Sequence, residues 1–546
     1  MKTAIMVLTA GPGRLVVGSV ARTKIIALAA FAICVFGFVG TIHGAGQYWK
    51  GDYPASSDAN GLQVAVTYTL WIPDGVSRLR AIIVHQHGAG TTASKEGSTA
   101  AYDLHWQALA KKWDCALFCS SYHVLNENND INPGGSELWF DPRRGSEKAF
   151  LRSLDDFAAK SDHPEIQTVP WALWGHSSGG IWADMMSTLH PDRVIGMWLR
   201  SGSAAQFRTH PEFVQPEVPA ACYAIPIMLN PGIKEKATFP HNSAGHEKGP
   251  WWGNLATFTE YRAKGALVGF APDPRTGHEC GDSRYLAIPY LDACLAMRLP
   301  DKGDKNQTLK PVETSKAWLA SLMGDQAQPA SEFKGNLNEA VWLPNEAIAK
   351  AWMEYVKTGA VSDTTAPPAP YDVKVTPKGN EGMEISWSAD ADFESGVRCF
   401  IVMRDGEKLA QVPENPVGQF GRPLFQSMTY HDTPKQPLAK MEYLDASAKT
   451  GEKHTYAVVS VNSVHLSSEP SAPATTGDHA EEAAATAVSA GVKPSDDMVV
   501  WYRQPGKAWM DGSPLGNGIT AAMVFGGTHN ERIASSLDLG IFLTTS

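Results

Sequence analysis

The sequence predicts an α/β domain with a mostly parallel sheet covered by helices on both faces, then an all-β sandwich and a short C-terminal fragment. Three observations predict it. Between Leu62 and Met297, apolar strand-like runs alternate with helical ones, the pattern of a parallel sheet wrapped by helices. Within that stretch an apolar run breaks at Gly175, presents Ser177, and resumes after Gly180 in helical rhythm. Beyond Val361 the texture changes to short alternating strands separated by turn residues, which is how sandwiches read.

The elements follow in order. Residues 1–45 hold Lys2, Arg14, Arg22 and Lys24 with no acid, then an apolar run from Ile25 to Val39 and small residues to Ala45. A charged start, an apolar stretch and small residues read as a secretory signal, with cleavage expected after Gly44 or Ala45. The competing reading is an uncut anchor, because the run approaches the ~18 residues that a spanning helix needs. Strands are predicted at Leu62 to Ile72, Arg80 to His85, Ala116 to Ser120, Trp171 to Trp174, Val194 to Arg200, Ala224 to Leu229 and Ala266 to Phe270. Helices are predicted at Leu104 to Trp113, Ser146 to Lys160, Gly180 to His190, Leu255 to Ala263 and Tyr285 to Met297.

Composition narrows the function classes. The 546 residues exceed one ordinary core, and 43% apolar content suffices for globular burial. The formal charge is −10, and the first 45 residues carry four cations and no acid, so the rest of the chain carries −14. That disfavours a nucleic-acid partner. The histidines and cysteines lack metal-site spacing and no phosphate loop is present, so no metal and no cofactor is expected.

The chemistry concentrates at Ser177. In Gly175-His176-Ser177-Ser178-Gly179-Gly180 the small residues two before and two after the serine are what a strained strand-to-helix turn requires, because a Cβ there would strike the neighbouring elements. A serine hydroxyl attacks only when a base takes its proton. Imidazoles, with an ordinary pKa of about 6.5, serve at neutral pH. His278, in Thr276-Gly277-His278-Glu279, follows the last long strand of the series and is the expected base. The acid is expected after the strand that ends at Leu229, where Pro231-Gly232-Ile233-Lys234-Glu235 supplies Glu235, with Asp273 as the competing carboxylate. An oxyanion would be held by the amides of Ser178, next to the nucleophile, and Ala89, in His87-Gly88-Ala89-Gly90. His87 and His176 read as braces for these loops.

On these motifs, residues 46–360 resemble the α/β-hydrolase superfamily. The nearest flavour is that of poly(3-hydroxybutyrate) depolymerase, feruloyl esterase and acetylxylan esterase relatives. The resemblance implies acyl-serine chemistry through Ser177, Glu235 and His278, the acid being Glu where many relatives carry Asp. It implies no particular substrate. Residues 361–475 open with the stiff linker Asp363-Thr-Thr-Ala-Pro-Pro-Ala-Pro. Strands follow at Asp372 to Val375, Met383 to Ser388, Arg398 to Arg404 and Thr455 to Val461, with Trp387 as a core anchor. From residue 366 this region resembles a fibronectin type III domain. Residues 476–497 read as an acidic, alanine-rich tether. The segment 498–546, through Trp501, Trp509, Pro514, Asn517 and Gly526, resembles the opening of the α-L-fucosidases with a helical-toroid catalytic domain. The match stops near Arg532, so a truncated opening without that family's carboxylates is expected.

Export permits disulfides. Cys115 and Cys119 share a strand, where four residues span ~13 Å, beyond the ~7 Å that a bridge tolerates. Cys280 either staples the His278 loop to the helix bearing Cys294, or all six cysteines outside the leader are buried thiols. The expected function is a secreted, periplasmic or cell-surface serine esterase acting on acylated polysaccharide. A polyester depolymerase, a peptidase-like hydrolase and a non-catalytic binding protein with a relic domain are the alternatives.

Overall fold

A computed structural model describes residues 46–89, 100–126, 130–135, 138–207, 217–238, 249–304, 308–417, 440–449 and 451–476, with three strands farther on. The expected leader, residues 1–45, and the expected tether, residues 477–497, lie outside the described residues.

An eight-stranded sheet forms the centre of the first region. Its strands are β1 (Gly46–Tyr53), β2 (Val66–Pro73), β3 (Ala81–Gln86), β4 (Cys115–Tyr122), β5 (Trp171–His176), β6 (Val194–Arg200), β7 (Ile227–Asn230) and β8 (Val268–Phe270). They lie in the order β1-β2-β4-β3-β5-β6-β7-β8. β2 pairs antiparallel with β1 and β4, and every pair from β4 to β8 is parallel. Each residue from β2 to β8 within these strands is buried, as expected of a sheet covered on both faces.

The covering helices are α1 (Leu104–Lys112), α2 (Ser146–Ser161), α3 (Ser178–Leu189), the single turn α4 (Glu235–Thr238), α5 (Pro250–Ala263), α6 (Arg284–Arg298) and α7 (Glu346–Thr358). α1 starts at Asp103, whose carboxylate caps the amides of His105 at 3.0 Å and Trp106 at 3.3 Å. The same carboxylate pairs with the buried Arg284 of α6 at 2.7 Å. A small sheet, β9 (Trp318–Ser321), β10 (Ala327–Pro329) and β11 (Ala340–Leu343), precedes α7. α7 is fastened by Trp352, whose indole N–H reaches the carbonyl of Phe270 on β8 at 2.9 Å.

Two further sheets face one another in the second region. One holds β12 (Tyr371–Pro377), β13 (Met383–Ser388) and β16 (Glu442–Asp445). The other holds β14 (Val397–Arg404), β15 (Glu407–Val412), β17 (Thr455–Asn462) and β18 (Ala474–Thr475). Alternate residues of β13 point inward, and Trp387 is fully buried against Phe400, so it fills the core rather than offering an exposed platform.

This sandwich packs on α1. Leu104 is buried within the sandwich cluster, the His105 imidazole meets the carbonyl of Phe393 at 2.7 Å, and the Lys112 ammonium sits 4.5 Å over the Phe393 ring. The proline-rich linker therefore leads into a docked module. The cysteines settle one sequence alternative: Cys115, Cys119, Cys222, Cys280, Cys294 and Cys399 are all buried thiols, so the Cys280 to Cys294 staple is not formed. Burial pushes the thiols of Cys119, Cys222 and Cys294 up to about 12, which leaves them unreactive.

By its contacts the chain divides into residues 40–476 and a second unit of residues 1–39 and 477–546. In the second unit β19 (Ser513–Gly516), β20 (Ala521–Val524) and β21 (Ile533–Ser536) pair as a three-stranded antiparallel sheet. Among the described residues no helix is long and apolar enough to cross a membrane.

Candidate active site

Strand register brings the candidate residues to one edge. Gln86 pairs with Gly175, His176 with Arg200, and Arg200 with Asn230, so the C-terminal ends of β3, β5, β6 and β7 lie side by side. In open α/β sheets this edge is where ligands bind.

Ser177 stands between β5 and α3 with φ 53° and ψ −122°, a left-handed conformation that a non-glycine residue adopts only under constraint from its surroundings. The constraint is visible in the glycines. A Cβ on Gly175 would lie 2.3 Å from the carbonyl oxygen of Gly179, and one on Gly179 would lie 2.4 Å from the carbonyls of Gln86 and His87. One on Gly202 would lie 2.0 Å from the carbonyl of Ser177 itself. Backbone occupies the space on every side of the turn.

The structure brings Ser177, His278 and Glu235 into one hydrogen-bonded line. The Ser177 hydroxyl lies 2.9 Å from His278 Nε2, and His278 Nδ1 lies 2.6 Å from Glu235 Oε1. Glu235 is fully buried, and its second oxygen accepts from the Gly232 amide at 3.2 Å. The His278 side chain keeps 16% of its surface open, so a substrate can reach the imidazole. Asp273, the competing acid, is turned elsewhere. Its carboxylate accepts from the amides of Arg275 at 3.0 Å and Asp282 at 3.4 Å, and from the Tyr355 hydroxyl at 3.3 Å.

The candidate oxyanion amides flank the serine. Ser178 is the first residue of α3, where amides lack an intrahelical acceptor and the helix end is positive. Ala89 follows Gly88, and a Cβ on Gly88 would lie 2.9 Å from the Cβ of Ser177, so the loop passes directly against the nucleophile. His87 braces that loop: its Nε2 accepts the Tyr122 amide at 3.1 Å, which makes Nδ1 the protonated nitrogen, and Nδ1 bonds the Gly88 carbonyl. Burial holds this imidazole down at about 4, so it stays neutral and keeps that tautomer. His176 braces the other side, with Nε2 on the carbonyl of His278 at 2.6 Å.

Sequence reasoning missed Arg200. It reads as the polar end of a strand, yet it is fully buried beside the His278 loop. No local sequence signal marks it; only the register, which sets it across from His176, shows its place.

Residues 500–538 match the family described as glycosyl hydrolase family 65, N-terminal domain. No curated protein matches the chain. Among solved structures the chain is similar to a thermostable esterase, with 12% identity, TM-score 0.28, and coverage of 41% of this chain and 54% of that one. It is similar also to a ferulic acid esterase, with 12% identity, TM-score 0.32, and coverage of 43% and 92%. A third is a carboxylesterase from Mesorhizobium loti, with 20% identity, TM-score 0.25, and coverage of 42% and 93%. The chain spans about half the length of the first of these. The strand order and the strand-to-helix turn at Ser177 fit the α/β arrangement expected from the sequence.

Proposed function

We propose that this chain is an exported serine carboxylic-ester hydrolase that removes acetyl or phenolic acyl groups from polysaccharide. The observation that carries the reading is the line from Ser177 through His278 to the buried Glu235. In the reaction His278 takes the proton from Ser177 as its oxygen attacks the ester carbonyl carbon. The tetrahedral oxyanion accepts from the amides of Ser178 and Ala89. His278 then gives the proton to the departing alcohol oxygen, leaving acyl-Ser177. Water attacks the acyl carbon, His278 takes its proton, and the carboxylic acid leaves as Ser177 recovers its hydrogen. Glu235 holds the imidazole in its Nδ1–H tautomer and stabilises the imidazolium.

The sugar part of the substrate is supported by the likeness of residues 500–538 to a glycoside hydrolase segment. We read residues 366–475 as a fibronectin type III module and residues 1–45 as a secretory signal. The test is turnover of p-nitrophenyl acetate by the full chain and by Ser177→Ala, with folding checked by circular dichroism. Loss of turnover in a folded variant is expected, because the acyl acceptor is gone. Equal turnover would overturn the reading. A panel of acetylated xylan, feruloyl esters, fucoidan and polyhydroxybutyrate then decides the substrate.

A further inference from the structure

Arg200 ends β6 with its whole side chain buried. Among the described residues every partner of its guanidinium is a neutral oxygen. Nε donates to the carbonyl of Glu279 at 3.0 Å, and one terminal nitrogen donates to the carbonyl of Asn230 at 2.8 Å. The other donates to the Thr276 hydroxyl at 2.9 Å and to the carbonyls of Gly277 at 2.9 Å and Glu279 at 2.6 Å. A buried cation is costly unless its donors are satisfied, and among the described residues no carboxylate pairs directly with this one. What the fork does engage is specific. Gly277 and Glu279 flank His278, and Asn230 ends the strand that leads to Glu235.

With His176 on the carbonyl of His278, the three successive carbonyls from residue 277 to residue 279 are held by side chains from the ends of β5 and β6. β5 also delivers Ser177. The turn that carries the base is therefore referenced to the strands that carry the nucleophile, and the Asn230 contact adds the acid's strand to the same frame. A planar fork of five donors can do this; an ammonium cannot match it.

We propose that Arg200 is a positioning residue, a carbonyl clamp that sets His278 against Ser177 and Glu235 for the esterase reaction. This rests on the reading of the site given above. A misplacement near 1 Å in such an arrangement costs about a hundredfold in rate, so the effect falls on kcat and leaves KM nearly unchanged.

The test is Arg200→Gly in the full chain, assayed on p-nitrophenyl acetate with and without added guanidinium ion. A kcat roughly a hundredfold lower, a KM within about threefold, and recovery of at least tenfold by guanidinium but not by methylammonium support the clamp. A kcat within threefold of wild type, or a loss in folded protein that guanidinium leaves unrepaired, overturns it. Should Arg200→Gly not fold, Thr276→Val decides: removing one acceptor should lower kcat severalfold at constant KM, and an unchanged kcat overturns the proposal. Should the wild type show no turnover, the functional reading fails by itself. Hydrogen exchange over residues 276–282 then judges the clamp, since Thr276→Val must speed it.

Discussion

Glu235 Oε1 lies 2.6 Å from His278 Nδ1, while the other oxygen of the same carboxylate is tied to the amide of Gly232. One oxygen is anchored to the loop and the other is presented to the imidazole. Asp273 spends both of its oxygens on the amides of Arg275 and Asp282 and on Tyr355.

Glu235→Gln should therefore lower kcat on p-nitrophenyl acetate by about two to four decades, because the amide no longer favours the required tautomer or stabilises the imidazolium. Asp273→Asn should lower it by less than a decade and act mainly through thermal stability. The reverse ranking of the two kcat values would assign the acid to Asp273.

Acid should unfold the protein early. His85, His87 and His105 are buried, and loss of hydration holds all three imidazoles below their ordinary range; the Arg284 charge adds to the effect at His85 and His105. His87 is held at about 4 and His105 at about 3. A depressed histidine means that the unfolded chain takes up protons, from pH ~6.5 downward, that the native state refuses. Stability is thus whole above that pH and falls as pH drops toward 4. His87 and His105 each cost about 1.4 kcal/mol per pH unit in that window, so the two together cost roughly 3 kcal/mol per pH unit, against a total near 5–15 kcal/mol for ordinary domains; His85 adds in the same direction. Urea midpoints at pH 7.5, 6.5 and 5.5 check this. A flat profile across that range would refute it.

Much of this architecture was legible in the sequence because buried parallel strands are continuous apolar runs and the elbow needs glycines at fixed offsets. Val194 to Arg200 and Met383 to Ser388 coincide with observed strands for that reason. β1 was not legible: Gly46 to Tyr53 adjoin the expected leader, show no period of two with polar side chains at Gln47, Lys50 and Asp52, and form an edge strand. β9, β10 and β11 are three or four residues long, too short to show a period. The strand expected from Ala224 starts instead at Ile227, because residues 220 to 224 close a 3-10 turn first. Arg200 escaped because nothing local distinguishes an arginine that leaves a strand for solvent from one that turns into carbonyls 77 to 79 residues away.

The docked sandwich leads to a prediction about stability. Removing residues 366–476 would expose Leu104, leave the His105 Nε2 to water, and delete the Lys111 to Asp390 pair at 2.6 Å, which is largely exposed and adds little. Exposing a leucine costs about 1.5–3 kcal/mol, and each kcal/mol moves the melting temperature by roughly 2–4 °C in a domain of 150–250 residues. The truncated protein should melt several degrees lower with kcat within about threefold of the full chain. Equal melting temperatures would show that the contact with α1 contributes nothing.

Deleting residues 477–546 should have the opposite character. The clamp, the elbow and the acid all lie in the unit of residues 40–476, which has its own cores in both regions. The deleted part holds the family 65 N-terminal likeness at 500–538, whose strands β19 to β21 form a sheet of only three short members. The Trp501 and Trp509 segment before those strands lies outside the described residues. Small open sheets bury little apolar surface and present unpaired edges, so this segment is expected to favour self-association more than stability. No pair of glycosidase carboxylates is contributed by this stretch in the resemblance noted above. The expected outcome is ester hydrolysis unchanged within about twofold, a lower tendency to aggregate by light scattering, and no release of nitrophenol from p-nitrophenyl α-L-fucoside by either protein. Esterase activity that falls with the deletion, or fucoside turnover by the full chain, would make the segment a working part of the enzyme.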